Sequence, residues 1–269
     1  MHPLAQQAAT LLGIGVHRVT PLHGGDLSVV LRLDLSDGSS AIVKSGPAPQ
    51  TEAAMLRAIH ATGAPAPRVL AHSASALVLE DLPESGSLTA SAWGDLGTHL
   101  KRLHDQTGPR YGWERDYAFG PLPIHNDWHD TWPAFWAENR LLPEVPHLPE
   151  SLRPDIERIT AALPDLLPSN PPRSLLHGDL WTGNVMANGP RLSALIDPAC
   201  YYGHGEVDLA MLSLFGQPAP SFWQSYGHPT GNWPIRRAIY QLWPTIVHLR
   251  LFGSEYLSLA KRLVALIPT

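Results

Sequence analysis

The chain has 269 residues, 44% hydrophobic and 16% charged, with a net charge of −5 and a single cysteine. That is enough for one large domain or two lobes, and it excludes the basic footprint of a nucleic-acid binder, an internal disulfide and a cysteine-rich zinc site. No run reaches the ~18 apolar residues of a membrane span, and "MHPLAQQAATLLGIG" lacks the basic and apolar regions of a signal peptide, so no membrane partner and a cytoplasmic location are expected.

In chain order, Gly24 and Gly25 mark a bend within "LHGGD" where backbone N–H groups could approach phosphates. Leu27, Val29, Leu31, Leu33 and Leu35 alternate as in a half-buried strand, "DGSS" turns, and "AIVK" at 41–44 makes the second arm of a hairpin. Residues 51–61 read as a helix with Thr51 as a plausible cap and Gly63 and Pro65 beyond its end. "RVLAHSASALVLEDL" at 68–82 reads as another hairpin. The pattern then changes. Helical segments are expected near 91–108, 130–141, 150–167, 206–215, 220–226, 234–251 and 254–266, with short strands at 174–177, 185–187 and 192–196. A small β-rich lobe over 1–82 and a larger helical lobe over 83–269 make an α+β layout.

The densest chemistry lies in "SLLHGDLWTGNVM" at 174–186. Asn184 follows Asp179 by five positions, and Asp197 follows Asn184 by thirteen. Phosphoryl transfer on a kinase scaffold needs these parts: an Asp to accept the hydroxyl proton, and an Asn and a second Asp on the metal. A tight loop aims Asp179 at an acceptor, and the hairpin of 185–196 returns Asp197 opposite Asn184. Oxygen donors of this kind, shared with nucleotide phosphates, suit Mg²⁺. Lys44 ends a strand where a phosphate-pairing lysine belongs. Glu52, early in the next helix, can pair with it. Glu80 and Leu82 flank the expected adenine-binding hinge.

Blander readings stand beside these. His177 fits a structural role in the loop better than a catalytic one. Trp181 is more often a packing residue than a ligand. His125 and His129 have i,i+4 spacing but no adjacent third ligand. Cys200 is expected to be buried and inert, and the Trp and Leu residues of 233–259 are expected in the core. The oligomeric state is not legible.

"HGDLWTGNV" and "LIDPACYYGHGEVDLAM" resemble the catalytic and metal-binding segments of the fructosamine kinase (ketosamine-3-kinase) family, in the aminoglycoside phosphotransferase-like branch of the protein-kinase fold. "LGTHLKRLH", "WPAFWAENRL" and "YQLWPTIVHLRLFGSEYL" resemble family segments in the same order. The resemblance implies a bilobal protein-kinase-like fold and ATP- and Mg²⁺-dependent phosphorylation of the 3-hydroxyl of a ketoamine, free or protein-bound, as a deglycation step. It implies Asp179 as base, Asn184 and Asp197 as metal ligands, and Lys44 with Glu52 on the phosphates. On the acceptor side it implies Trp181 and Asp208 as substrate-binding residues, Trp181 against the sugar and Asp208 also bracing the catalytic loop. Another small-molecule kinase of the aminoglycoside or choline type is the alternative, and a nucleotide-binding scaffold without turnover is a further one. A serine hydrolase is excluded, because no G-x-S-x-G occurs.

Overall fold

The structure is a computed structural model that describes residues 2–22, 28–83 and 86–268. Helix α1 (Pro3–Leu12) leads into β1 (Val16–Leu22), β2 (Val30–Leu35) and β3 (Ser40–Lys44). Helix α2 (Pro49–Ala61) follows, then β4 (Val69–His72) and β5 (Leu77–Glu80). The strands form one antiparallel five-stranded sheet of order β1-β2-β3-β5-β4.

Alternation along these strands decides which face each residue serves. Leu31, Leu33 and Leu35 of β2, Ala41 and Val43 of β3 and Val78 of β5 pack under Leu4, Ala5 and Ala8 of α1. Period two then turns Val30 and Lys44, which pair in register, to the opposite face and into the crevice below the sheet. Val29, expected among the inward-facing residues, is exposed just before β2 begins, and Leu27 lies outside the described residues.

Two elements escape a periodicity search. Strand β1 is an edge strand with mostly exposed side chains, so it lacks an apolar alternation, and Pro21 is tolerated there because an edge strand can spare an N–H. Helix α1 is short, started by Pro3 and closed by Gly13 at φ 68. Helix α2 begins at Pro49, two residues before the expected Thr51 cap. The proline presets the first helical turn, so Thr51 sits inside that turn and is buried.

The second half opens with α3 (Ala90–Asp105) and a small hairpin, β6 (Tyr117–Phe119) and β7 (Leu122–Ile124). Helix α4 (Trp132–Trp136) continues through a π turn (Ala137–Leu141) into a 3-10 turn (Leu142–His147), and α5 (Arg153–Leu166) follows. The expected helix at 130–141 is therefore short and irregular. Next come β8 (Ser174–Leu175), a 3-10 turn (Thr182–Asn184), the hairpin β9 (Val185–Asn188) and β10 (Arg191–Leu195), and β11 (Tyr202–Gly203). Helices α6 (Glu206–Leu212), α7 (Pro220–Tyr226) and α8 (Trp233–Phe252), a 3-10 turn (Ser254–Tyr256) and α9 (Leu257–Ala265) complete the chain.

Three apolar clusters hold these parts. One lies between α1 and the sheet. An aromatic-rich one joins Trp132, Phe135 and Trp136 to Tyr240 and Trp243 of α8. The third runs from Met55, Leu56 and Ile59 of α2 and Leu77 and Leu79 of β5 into Leu96, Leu100 and Leu103 of α3 and Leu180, Val185 and Leu195 around the β9–β10 hairpin. It crosses residue 82 without interruption.

Candidate active site

The loop between β8 and β9 is held from behind by one carboxylate. Asp208, in the first turn of α6, accepts from the backbone N–H of His177 at 2.7 Å and of Gly178 at 2.9 Å. The His104 ring lies 3.0 Å from the same carboxylate and 2.7 Å from the Tyr226 hydroxyl. Burial alone would raise the Asp208 pKa. The His104 contact, the His177 ring and the Gly178 N–H overcome it and hold the pKa below the usual carboxylate value. Asp208 is fully enclosed and does not line the cavity described below, so its expected place among substrate-contacting residues is corrected: both of its oxygens are spent on the loop. His177 is equally internal. Its Nε2 lies 2.9 Å from the Ile196 carbonyl, which can only accept, so Nε2 carries the proton, while Nδ1 accepts from the Asp179 N–H at 3.3 Å. Gly178 has φ 82, and a Cβ there would collide with the Ala199 carbonyl, so the residue between His177 and Asp179 must be glycine.

The front of the loop is less satisfied. Asn184 donates its Nδ2 to the Asp179 carbonyl at 2.8 Å and to Asp179 Oδ2 at 3.0 Å. Burial pushes the Asp179 pKa up to about 7, with the Asp197 and Asp208 charges adding to it and the Asn184 hydrogen bond opposing. The β9–β10 hairpin returns the chain so that Ile196 N–H donates to the Asn184 carbonyl at 3.0 Å. The next residue, Asp197, has φ 53 and is the one non-glycine residue with positive φ among those described. Its Oδ1 accepts from Lys44 Nζ at 2.6 Å, and the same ammonium lies 2.9 Å from Glu52 Oε1. Burial would lower the Lys44 pKa, but the two facing carboxylates raise it to about 12. Burial, with the Asp197 charge adding, raises that of Glu52 despite Lys44. Tyr117 of β6 donates its hydroxyl to Glu52 Oε2 at 3.2 Å.

Lys44, Asp179, Trp181, Asn184 and Asp197 all line one cavity of about 530 Å³. Glu52 stands just behind Lys44. Glu80 and Leu82 are not brought to this cavity. They border a separate crevice of about 420 Å³, and the Glu80 carboxylate is taken by Arg68 at 3.2 Å. Gly24 and Gly25 lie outside the described residues. His125 faces Asp116 at 3.3 Å and His129 faces Glu138 at 4.0 Å, so the two rings have separate partners. Cys200 is enclosed, and burial pushes its thiol well above the usual value.

Tyr117, His104 and the inner stripe of α8 went unmarked in the sequence. The stripe includes Trp243, Val247 and Leu251, four apart, beside Pro244 and His248; Trp243 is in the core as expected, together with Val247, and the same stripe also walls the cavity. Their spacing was legible, but nothing in a periodicity separates a core face from a cavity face.

The donors at the mouth fit a hard divalent cation. The Asn184 amide oxygen is left over once its nitrogen serves Asp179, and Asp197 Oδ2 once Oδ1 serves Lys44. Among the described lining residues, Lys44 is the one lysine or arginine against Asp179, Asp197 and Glu255, so the cavity by itself lacks the positive charge a polyphosphate needs.

The sequence profile of the fructosamine kinase family matches residues 4–268. The chain belongs to that family. A probable ketoamine kinase of Synechocystis sp. is 36% identical over 229 residues, covering 80% of this chain and 77% of the relative. The crystal structure of a candidate fructosamine-3-kinase from Thermobifida fusca superposes with a TM-score of 0.90 at 30% identity, covering 99% of this chain and 98% of that one. An amicoumacin kinase, at 16% identity and a TM-score of 0.67, covers 98% of this chain and 93% of its own and shows the same fold. This fructosamine kinase family member therefore has the bilobal, aminoglycoside phosphotransferase-like kinase fold and is an ATP-dependent phosphotransferase. No helix among the described residues is long and apolar enough to cross a membrane.

Proposed function

We propose that this protein transfers the γ-phosphoryl group of ATP to the 3-hydroxyl of a ketoamine in the cytoplasm, as a step that removes sugar adducts from amines. The single observation that carries the reading is the convergence of Asp179, Asn184, Asp197 and Lys44 on one cavity whose wall also holds Trp181. Residues 1–82 serve as the nucleotide lobe and 83–269 as the acceptor lobe.

Asp179 is the proton acceptor. Its carboxylate faces the cavity with one hydrogen bond from Asn184, which orients it and leaves an oxygen for the sugar hydroxyl. As the sugar oxygen attacks phosphorus, its proton passes to Asp179, and the ADP oxygen leaves. Lys44, held by Glu52, presents an ammonium to the phosphates. Asn184 and Asp197 would hold Mg²⁺, which neutralises phosphate charge when bound. Asp208 acts through the loop backbone as a brace. Trp181 is 40% exposed at the cavity edge, so its ring is free to lie against sugar C–H groups. Positioning and charge complementarity do most of the work in such a site.

The test is ADP release with a fructosamine, a ribulosamine and kanamycin as acceptors, followed by phosphorus NMR of the product. A 3-phosphorylated ketoamine is the expected result. Turnover confined to kanamycin would replace this reading with that of an antibiotic kinase.

A further inference from the structure

The cavity does not end at the sugar position. Beyond Trp181 it continues along the C-terminal half of α8 to the turn at 254–256, and its chemistry changes there. The walls become aromatic. Phe215 lies 5.2 Å from the His248 ring and 6.4 Å, edge on, from that of Trp181. The His248 ring is also 5.4 Å from Phe252 and 5.0 Å from Tyr256. Phe215 is 46% exposed and Phe252 40% exposed, although large apolar side chains gain by burial. Both therefore present open ring surface at the mouth of an enzyme cavity.

The outer part holds two acceptors and no cationic side chain among its described lining residues. His248 Nδ1 lies 2.7 Å from the Pro244 carbonyl, so Nδ1 carries the proton and Nε2 is a bare acceptor. Glu255 lines the cavity with no ion-pair partner among the described residues. No lysine or arginine lines this part. A sugar, with hydroxyls on most carbons, would leave such walls poorly used. An apolar group carrying positive charge would use both the ring faces and the carboxylate.

Resting on the ketoamine reading above, we propose that Phe215, His248, Phe252, Tyr256 and Glu255 form a subsite for the amine half of the substrate, and that it takes alkyl or aryl substituents, with or without a further ammonium, and disfavours substituents carrying a carboxylate. Continuity with the sugar position fixes the occupant, since the amine substituent is the part of a ketoamine that leaves the sugar. The carboxylate and the ring faces fix its charge and polarity.

The test is a series of ketoamines with one sugar and different amines: benzylamine, 1,5-diaminopentane and glycine. The measured quantity is kcat/KM for the wild type and for Phe252→Ala and Glu255→Gln, two exposed positions at which folding is checked by circular dichroism. The wild type should favour the benzylamine and diaminopentane adducts over the glycine adduct by about tenfold or more, the scale of one well-filled apolar contact or one cation–ring contact. Phe252→Ala should lower kcat/KM for the benzylamine adduct several-fold through KM. Glu255→Gln should shrink the gap between the diaminopentane and glycine adducts, with the benzylamine adduct little changed. Equal kcat/KM across the series, or a preference that neither substitution alters, would overturn the subsite while leaving the ketoamine reading intact. Absence of turnover with every ketoamine would instead remove the ketoamine reading, and the subsite with it.

Discussion

The two sides of the 177–184 loop carry the same functional group in opposite condition. Asp208 behind the loop and Asp179 in front of it are both shielded, and burial pushes both pKa values up. Asp208 meets two backbone N–H groups and His104, and ends below its usual value. Asp179 receives one side-chain hydrogen bond, sees two other carboxylates, and rises to about 7. Burial is common to both, so the supply of donors decides the outcome. The rear carboxylate is fully used and supports the loop. The front one keeps unused acceptor capacity, which a proton-accepting group requires.

The comparison is broken or sharpened most strongly by exchanging Asp179 for Asn. Turnover should fall by a factor on the order of 10²–10⁴, with the fold intact by circular dichroism. Near-normal turnover would show that the front carboxylate is not the base. Asp208→Ala should act on the other property. It strands the N–H groups of His177 and Gly178 in the interior, at a cost of about 3 kcal/mol or more, visible as a lower urea midpoint. If that variant lost activity with an unchanged midpoint, the division between the two sides would fail.

The pH dependence of stability separates the sides further. In metal-free protein the folded-state pKa of Asp179 lies above its unfolded value, so the unfolded chain releases that proton first as pH rises. Stability contributed by protonated Asp179 is therefore present near pH 4 and lost as pH rises through about 7. Asp179→Asn should remove that loss, worth on the order of 2 kcal/mol after discounting for the open side of the cavity, and raise the melting temperature at pH 8 more than at pH 4. Asp208 has the reverse sign: its contribution is present above the unfolded carboxylate value and disappears as pH falls through its lowered pKa. The smallest effect is expected at Tyr117→Phe. Losing the hydrogen bond to Glu52 should loosen the Lys44 pair and raise KM for ATP by roughly threefold to tenfold, about 1 kcal/mol, with less change in kcat.

The front of the loop was legible because its parts recur at short spacing. Asp179, Asn184 and Asp197 sit within one loop and one hairpin, so sequence distance nearly fixes spatial distance. The Lys44–Glu52 pair was legible for a similar reason, as a strand end followed closely by a helix start. The rear was only half visible: Asp208 was marked as a brace, but its partner His104 lies 104 positions away, and no local pattern links them. Tyr117 escaped because its hairpin is three residues on each arm, too short for an alternation to register. Glu80 and Leu82 were placed by their position between the lobes alone, and position does not say which way a side chain turns. The outer aromatic wall was hidden because it is assembled from separate places: His248 and Phe252 on one helix, Phe215 between two others and Tyr256 in the 3-10 turn.

The apolar cluster that passes from α2 and β5 into α3 and the β9–β10 hairpin has a mechanical consequence. A wide swing of one lobe against the other would pull leucines out of contact and wet them, so large-scale breathing is opposed and nucleotide exchange must proceed through smaller displacements. For the same reason neither lobe can melt alone at low cost, and differential scanning calorimetry should record a single heat-absorption peak.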